Sequence, residues 1–132
     1  MKPVLDHIGI AVRSIDAAKV YEALGLTVDH VETVETQGVR TAFLSVGDAS
    51  LELLEPTGPE TTIARFIEKR GEGIHHICLR VDDLESHLAA LQAKGYRLIN
   101  EHPVPGAHGC RVAFLHPSAG NGVLLELSEK GE

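Results

Sequence analysis

Three segments from the first half of this chain return, in the same order, in its second half. His7-Ile8-Gly9-Ile10-Ala11-Val12-Arg13-Ser14-Ile15-Asp16 aligns with His76-Ile77-Cys78-Leu79-Arg80-Val81-Asp82-Asp83-Leu84-Glu85 at an offset of 69. Gly38-Val39-Arg40-Thr41-Ala42-Phe43-Leu44 aligns with Gly109-Cys110-Arg111-Val112-Ala113-Phe114-Leu115 at 71, and Leu51-Glu52-Leu53 with Leu125-Glu126-Leu127 at 74. Small loop insertions account for the drift. The chain therefore reads as two copies of one supersecondary module, and that limits its folds more than any other feature.

Each copy has the same pattern. Residues 5–12 are β-rich and alternate in polarity, which predicts a strand. Ser14 or Asp16 can cap a helix running to about residue 24, with Gly25 as its stop. Strands are expected at Thr27–Glu35, Val39–Val46 and Ser50–Glu55. In the second copy the strand is His75–Val81, and Asp82 or Asp83 caps a helix through Lys94, stopped by Gly95. Strands are then expected at Tyr96–Glu101, Cys110–His116 and Gly122–Leu127. Thr61–Arg70 reads as a connecting helix after Pro56-Thr57-Gly58-Pro59. The expected fold class is α+β: βαβββ twice in one domain over residues 1–132. Module one spans about 4–56, the connecting helix about 60–71 and module two about 73–128.

Side chains alternate along a strand, so parity assigns faces. Ile8, Ile10 and Val12 share one face, as do Ile77, Leu79 and Val81 in the repeat; these large aliphatic rows should pack on helices. His7, Gly9 and Ala11, and likewise His76, Cys78 and Arg80, take the opposite face, which is then free to line a cavity. Glu52 and Glu126 lie between leucines in short apolar strands, where an unpaired carboxylate is costly to bury. Each copy thus contributes one histidine and one glutamate at equivalent positions. If a pseudo-twofold brings the copies together, His7, Glu52, His76 and Glu126 can converge on a divalent transition metal, with two carboxylate charges to balance it.

Composition removes other classes. The chain is 43% hydrophobic and 23% charged, values of a globular protein rather than a disordered one. No apolar run reaches the roughly 18 residues a membrane span requires. A formal net charge of -7 argues against a nucleic-acid surface. Two cysteines make no disulfide framework, no signal-peptide stretch opens the chain, and a reducing cytoplasm is the expected setting. Cys78 and Cys110 read as small core residues. Of the eight histidines, His30, His87 and His102 read as surface residues, and His75 as a residue of the strand's start. His108 lies in the loop Gly106-Ala107-His108-Gly109, placed to close over a ligand. His116, before Pro117, either faces the cavity or caps a turn.

These residues resemble the vicinal oxygen chelate superfamily, the glyoxalase, bleomycin resistance and dioxygenase group. Within it, the chain is most similar to the methylmalonyl-CoA epimerase family. The matching stretches are Asp6 to Val12, Leu51 to Pro56, Gly73 to Cys78, Gly106 to Gly109, Phe114 to Pro117 and Gly122 to Leu127, spread over nearly the whole chain. The resemblance implies curved mixed sheets enclosing a metal cavity and interconversion of (R)- and (S)-methylmalonyl-CoA, a small-molecule acyl-CoA substrate, by 1,1-proton transfer through an enolate. It implies a metal held by His7, His76 and Glu126, with the fourth ligand at Glu52. The ion implied is Co²⁺, with Mn²⁺, Ni²⁺ or Zn²⁺ as alternatives. Our own expectation is that Glu126 and Glu52 include at least one catalytic base, and that His108, His116, Phe114 and Thr41 lie against the substrate. A glutamate that serves as a base in some members falls at Thr41, whose hydroxyl cannot fill that role near neutral pH. A homodimer is also implied. A glyoxalase-type isomerase and a metal-free ligand-binding resistance protein of the same fold are the alternative functions.

Overall fold

The computed structural model describes residues 2–106 and 109–130. In chain order it contains β1 (Val4–Ala11), a 3-10 turn (Ile15–Ala17) leading into α1 (Ala18–Ala23), β2 (Val28–Val34), β3 (Val39–Val46) and β4 (Ala49–Pro56). Then come α2 (Thr62–Arg70), β5 (Gly73–Arg80), α3 (Leu84–Ala93), β6 (Val104–Pro105), β7 (Arg111–Phe114) and β8 (Leu124–Glu129). The expected α+β class and the repeated order of strand, helix and strands are what is found. The chain divides into two compact units: residues 7–75, and the described residues before 7 and after 75.

In the unit of residues 7–75 the strand order is β2-β3-β4-β1. β1 and β4 run parallel, and the other neighbours are antiparallel. One face of this sheet carries Ile10, Val12, Ala42, Leu44, Leu51 and Leu53, packed with Ala18 and Tyr21 of α1. That is the aliphatic row expected from parity. The opposite face is not wholly open. Ala11, Val39 and Leu54 on it are covered by Ile63 and Ile67 of α2, so the connecting helix closes one end of the face expected to be free. Apolar burial drives this, because α2 is amphipathic and its buried residues, Ile63 and Ile67, sit one turn apart. Thr61 caps α2 by accepting the Ala64 N–H at 3.2 Å.

In the other unit the order is β5-β8-β7-β6. β5 and β8 are parallel, β8 and β7 antiparallel. Leu79, Val81, Ala113, Leu115 and Leu127 pack with Leu84, Leu88 and Leu91 of α3. Asp83 caps α3, accepting the Ser86 N–H at 3.1 Å. The start of this helix is also tied to β8, because Glu129 accepts the Leu84 N–H at 3.1 Å. Glu129 pairs with Arg111 as well, and these two partners, the guanidinium first, hold its carboxyl below the usual value of 4.5.

Two expectations need correction. The first helix opens as a 3-10 turn, so Ser14 caps that turn by accepting the Asp16 N–H, and α1 itself is six residues long. The strand expected at Tyr96–Glu101 is reduced to a single bridge between Leu98 and Leu115. Asn100 explains the loss. Its side-chain oxygen accepts the Phe114 N–H at 2.9 Å, taking the place a ladder carbonyl would fill. Pro103 and Pro105 bring no N–H donors, and only the two-residue β6 follows.

Candidate functional site

The two copies build the same local pair from the same register. In residues 7–75, Glu52 on β4 lies directly opposite Gly9 on β1 and opposite Phe43 on β3. His7 is two residues before Gly9 and so shares its face. Its Nδ1 comes within 3.2 Å of Glu52 Oε2, with side chains 11% and 19% exposed. In the second unit, Glu126 on β8 lies opposite Cys78 on β5 and Phe114 on β7. His76 is two residues before Cys78, and its Nε2 is 3.6 Å from Glu126 Oε1, both side chains 11% exposed. Parallel pairing of first and last strand creates this arrangement in each case, because it sets the glutamate two residues beyond its histidine's ladder partner, on the same face.

An imidazole nitrogen beside a shielded carboxylate oxygen is a metal-ligating combination. Two ligand atoms each about 2.1 Å from one ion and about 90–110° apart lie about 3.0–3.4 Å from each other. Both observed separations are close to that range, so the donor chemistry of each pair fits a divalent transition ion. Cys78 is wholly buried beside Glu126 in the ladder. Arg80, on the same strand face as His76, pairs with Asp6 at 3.2 Å.

The remaining site residues fall in different places. Thr41 is buried and stands opposite Leu54 on β4. Phe114 is half-buried and stands opposite Glu126, as Phe43 stands opposite Glu52. His116 caps the 3-10 turn Pro117–Ala119, its Nδ1 accepting the Ser118 N–H at 3.2 Å. His108 lies outside the described residues. His75 meets the Phe66 ring edge-on with centroids 5.0 Å apart. His87 contacts the Asp83 carbonyl at 2.9 Å.

His30 is a surface residue, as expected, and its ring stacks flat on Phe43, with centroids 4.3 Å apart and planes 10° from parallel. Phe43 is the direct ladder neighbour of Glu52, so His30 extends the face on which the first pair sits. Nothing in the local pattern of β2 signals this, because it follows from a β-bulge.

Residues 6–114 match the family model described as the Glyoxalase/Bleomycin resistance protein/Dioxygenase superfamily. The chain is 47% identical over 131 residues to the uncharacterized protein YqjC of Bacillus subtilis, covering 97% of this chain and 94% of that protein. It is 40% identical over 129 residues to the mitochondrial methylmalonyl-CoA epimerase of Dictyostelium discoideum, covering 96% of this chain and 78% of that protein. A solved structure of methylmalonyl-CoA epimerase in complex with methylmalonyl-CoA and NH4+ superimposes with a TM-score of 0.85. Its identity is 38%, with 98% of this chain and 96% of the other covered.

Proposed function

The chain belongs to the glyoxalase/bleomycin resistance protein/dioxygenase superfamily and is related to methylmalonyl-CoA epimerases, and on that premise we propose that it interconverts (R)- and (S)-methylmalonyl-CoA. The observation that carries this reading is the repeated His–Glu pair, His7 with Glu52 and His76 with Glu126. We read each pair as ligands for a divalent ion, Co²⁺ in the first instance. When bound, such an ion polarises the thioester and carboxylate oxygens and stabilises charge that develops on them.

The chain's own residues then handle the proton. The hydrogen on the carbon between the two carbonyl groups leaves as a proton, the electron pair of the C–H bond passes into the enolate, and a carboxylate oxygen accepts the proton. Returning a proton to the opposite face gives the other epimer, so two acid–base groups are required. At least one of Glu52 and Glu126 serves as such a group. Phe43 and Phe114, each opposite a glutamate, exclude water beside the carboxylates.

The test is epimerase activity on methylmalonyl-CoA before and after treatment with a chelator, with cobalt added back. Activity that disappears with the chelator and returns with cobalt is expected. Turnover of the methylglyoxal–glutathione hemithioacetal, with none on methylmalonyl-CoA, refutes the reading in favour of a glyoxalase-type isomerase. Absence of bound divalent metal refutes any metal-dependent activity.

A further inference from the structure

We infer that Glu32 is a second acid–base group of this site, serving the face of the substrate that the metal-ligating carboxylates do not. The inference rests on the epimerase reading above. Its basis is a register shift in β2. Val28 pairs with Leu44 and His30 with Phe43, so one extra residue lies between them. A bulge of this kind moves the side chains beyond it to the other face of the sheet. The packing shows that move on both sides of Glu32. Val28 joins the cluster beneath α1. His30 stacks on Phe43, and Val34 packs with Val39, Ala11 and Leu54, all on the opposite face. Glu32 lies between His30 and Val34 with the same parity, directly opposite Thr41. Its carboxylate therefore belongs to the face that carries His7 and Glu52.

The register also sets the spacing. One row across the sheet reads Glu32, Thr41, Leu54, Ala11, and the next reads His30, Phe43, Glu52, Gly9. With strands about 4.8 Å apart and same-face residues about 6.8 Å apart, the Glu32 and Glu52 Cα atoms lie roughly 12 Å from each other. Leaning toward one another by part of their reach, the two carboxylates come to roughly 6 Å, twice the hydrogen-bond reach of a base, which admits one carbon between them. Thr41, between them on this face, has a hydroxyl that cannot hold the proton. Glu32 is exposed, so its substitution leaves the core untouched. In the step assigned to it, the substrate C–H bond breaks, the electron pair enters the enolate, and the proton goes to a Glu32 carboxylate oxygen. The reverse step delivers it.

The experiment follows each pure epimer in D2O by mass and by ¹H NMR, with the full chain loaded with cobalt, as wild type, Glu32→Gln and Glu32→Asp. Expected for Glu32→Gln is epimerisation reduced by roughly 100-fold or more, deuterium entry persisting from one epimer only, and unchanged metal stoichiometry and melting temperature. Glu32→Asp should recover a large part of the lost rate. Epimerisation by Glu32→Gln within about threefold of wild type, with deuterium entering from both epimers, overturns the assignment and leaves Glu32 as an edge-strand charge. Equal loss of both exchanges together with loss of metal or of folding also overturns it. A wild-type protein that neither epimerises nor exchanges refutes the epimerase reading itself, and this assignment falls with it.

Discussion

Replacing Leu54 by alanine tests whether α2 closes one end of the His7–Glu52 face. Leu54 is 6% exposed and packs with Ala11, Val39, Ile63 and Ile67, with Val34 and Phe66 at the edge. A fully buried leucine cut back to alanine loses its transfer free energy and leaves a partly relaxed cavity, about 2–5 kcal/mol in all. Three of its neighbours, Ile63, Phe66 and Ile67, are side chains of one short helix, which can settle inward a little, so about 3 kcal/mol is expected. An unfolding entropy of about 2.1 cal/mol/K per residue converts this into a fall in Tm of about 10 °C for a chain of 132 residues. Thermal melts by circular dichroism read the shift, and Leu24→Ala, at a residue 75% exposed, supplies the control with a change under about 0.5 kcal/mol. A Leu54→Ala shift below about 3 °C would mean that the leucine is not covered. It would refute the packing of α2 and the assignment of faces that depends on it.

Two further outcomes follow from the same geometry. His7→Ala and His76→Ala should each lower bound cobalt well below one per chain, measured by elemental analysis of folded protein. Stoichiometric metal in both variants removes the two pairs as ligands. Glu129→Gln should lower Tm at neutral pH, because Arg111 and the Leu84 N–H favour the ionised carboxylate. A depressed carboxyl stabilises the fold above its unfolded value near 4.5 and loses that contribution as pH falls through the lower folded value. The difference between wild type and variant should therefore shrink on acidification, and a constant difference across that range would rule out the charge as its source.

Much of the candidate site was legible because the strand positions of its residues depend on short-range periodicity. His7 and His76 each precede a small residue by two positions, Gly9 and Cys78, and the period of a strand places them on one face whatever surrounds them. Repetition then singled out Glu52 and Glu126 among 19 acidic residues. The helix stops at Gly25 and Gly95 were visible for a similar reason, since both have positive φ, +102° and +86°, which glycine adopts readily. Other features left no local trace. Asn100 ends a strand only because its side chain reaches the backbone of β7. α2 was recognisable as a helix, but not the face on which its Ile63 and Ile67 would settle.

By itself, the sequence determined two βαβββ copies, a histidine and a glutamate on corresponding strands of each, and the parity that gives them one face. Those properties follow from backbone periodicity, which each segment carries alone. Only the tertiary structure decided which ladder partners meet. It set the parallel pairing that brings His7 to 3.2 Å and His76 to 3.6 Å of their glutamates. It also set the bulge between Val28 and His30 that turns Glu32 to the same face. Register is a property of two strands together, and a shift of one residue sends every later side chain to the other side of the sheet.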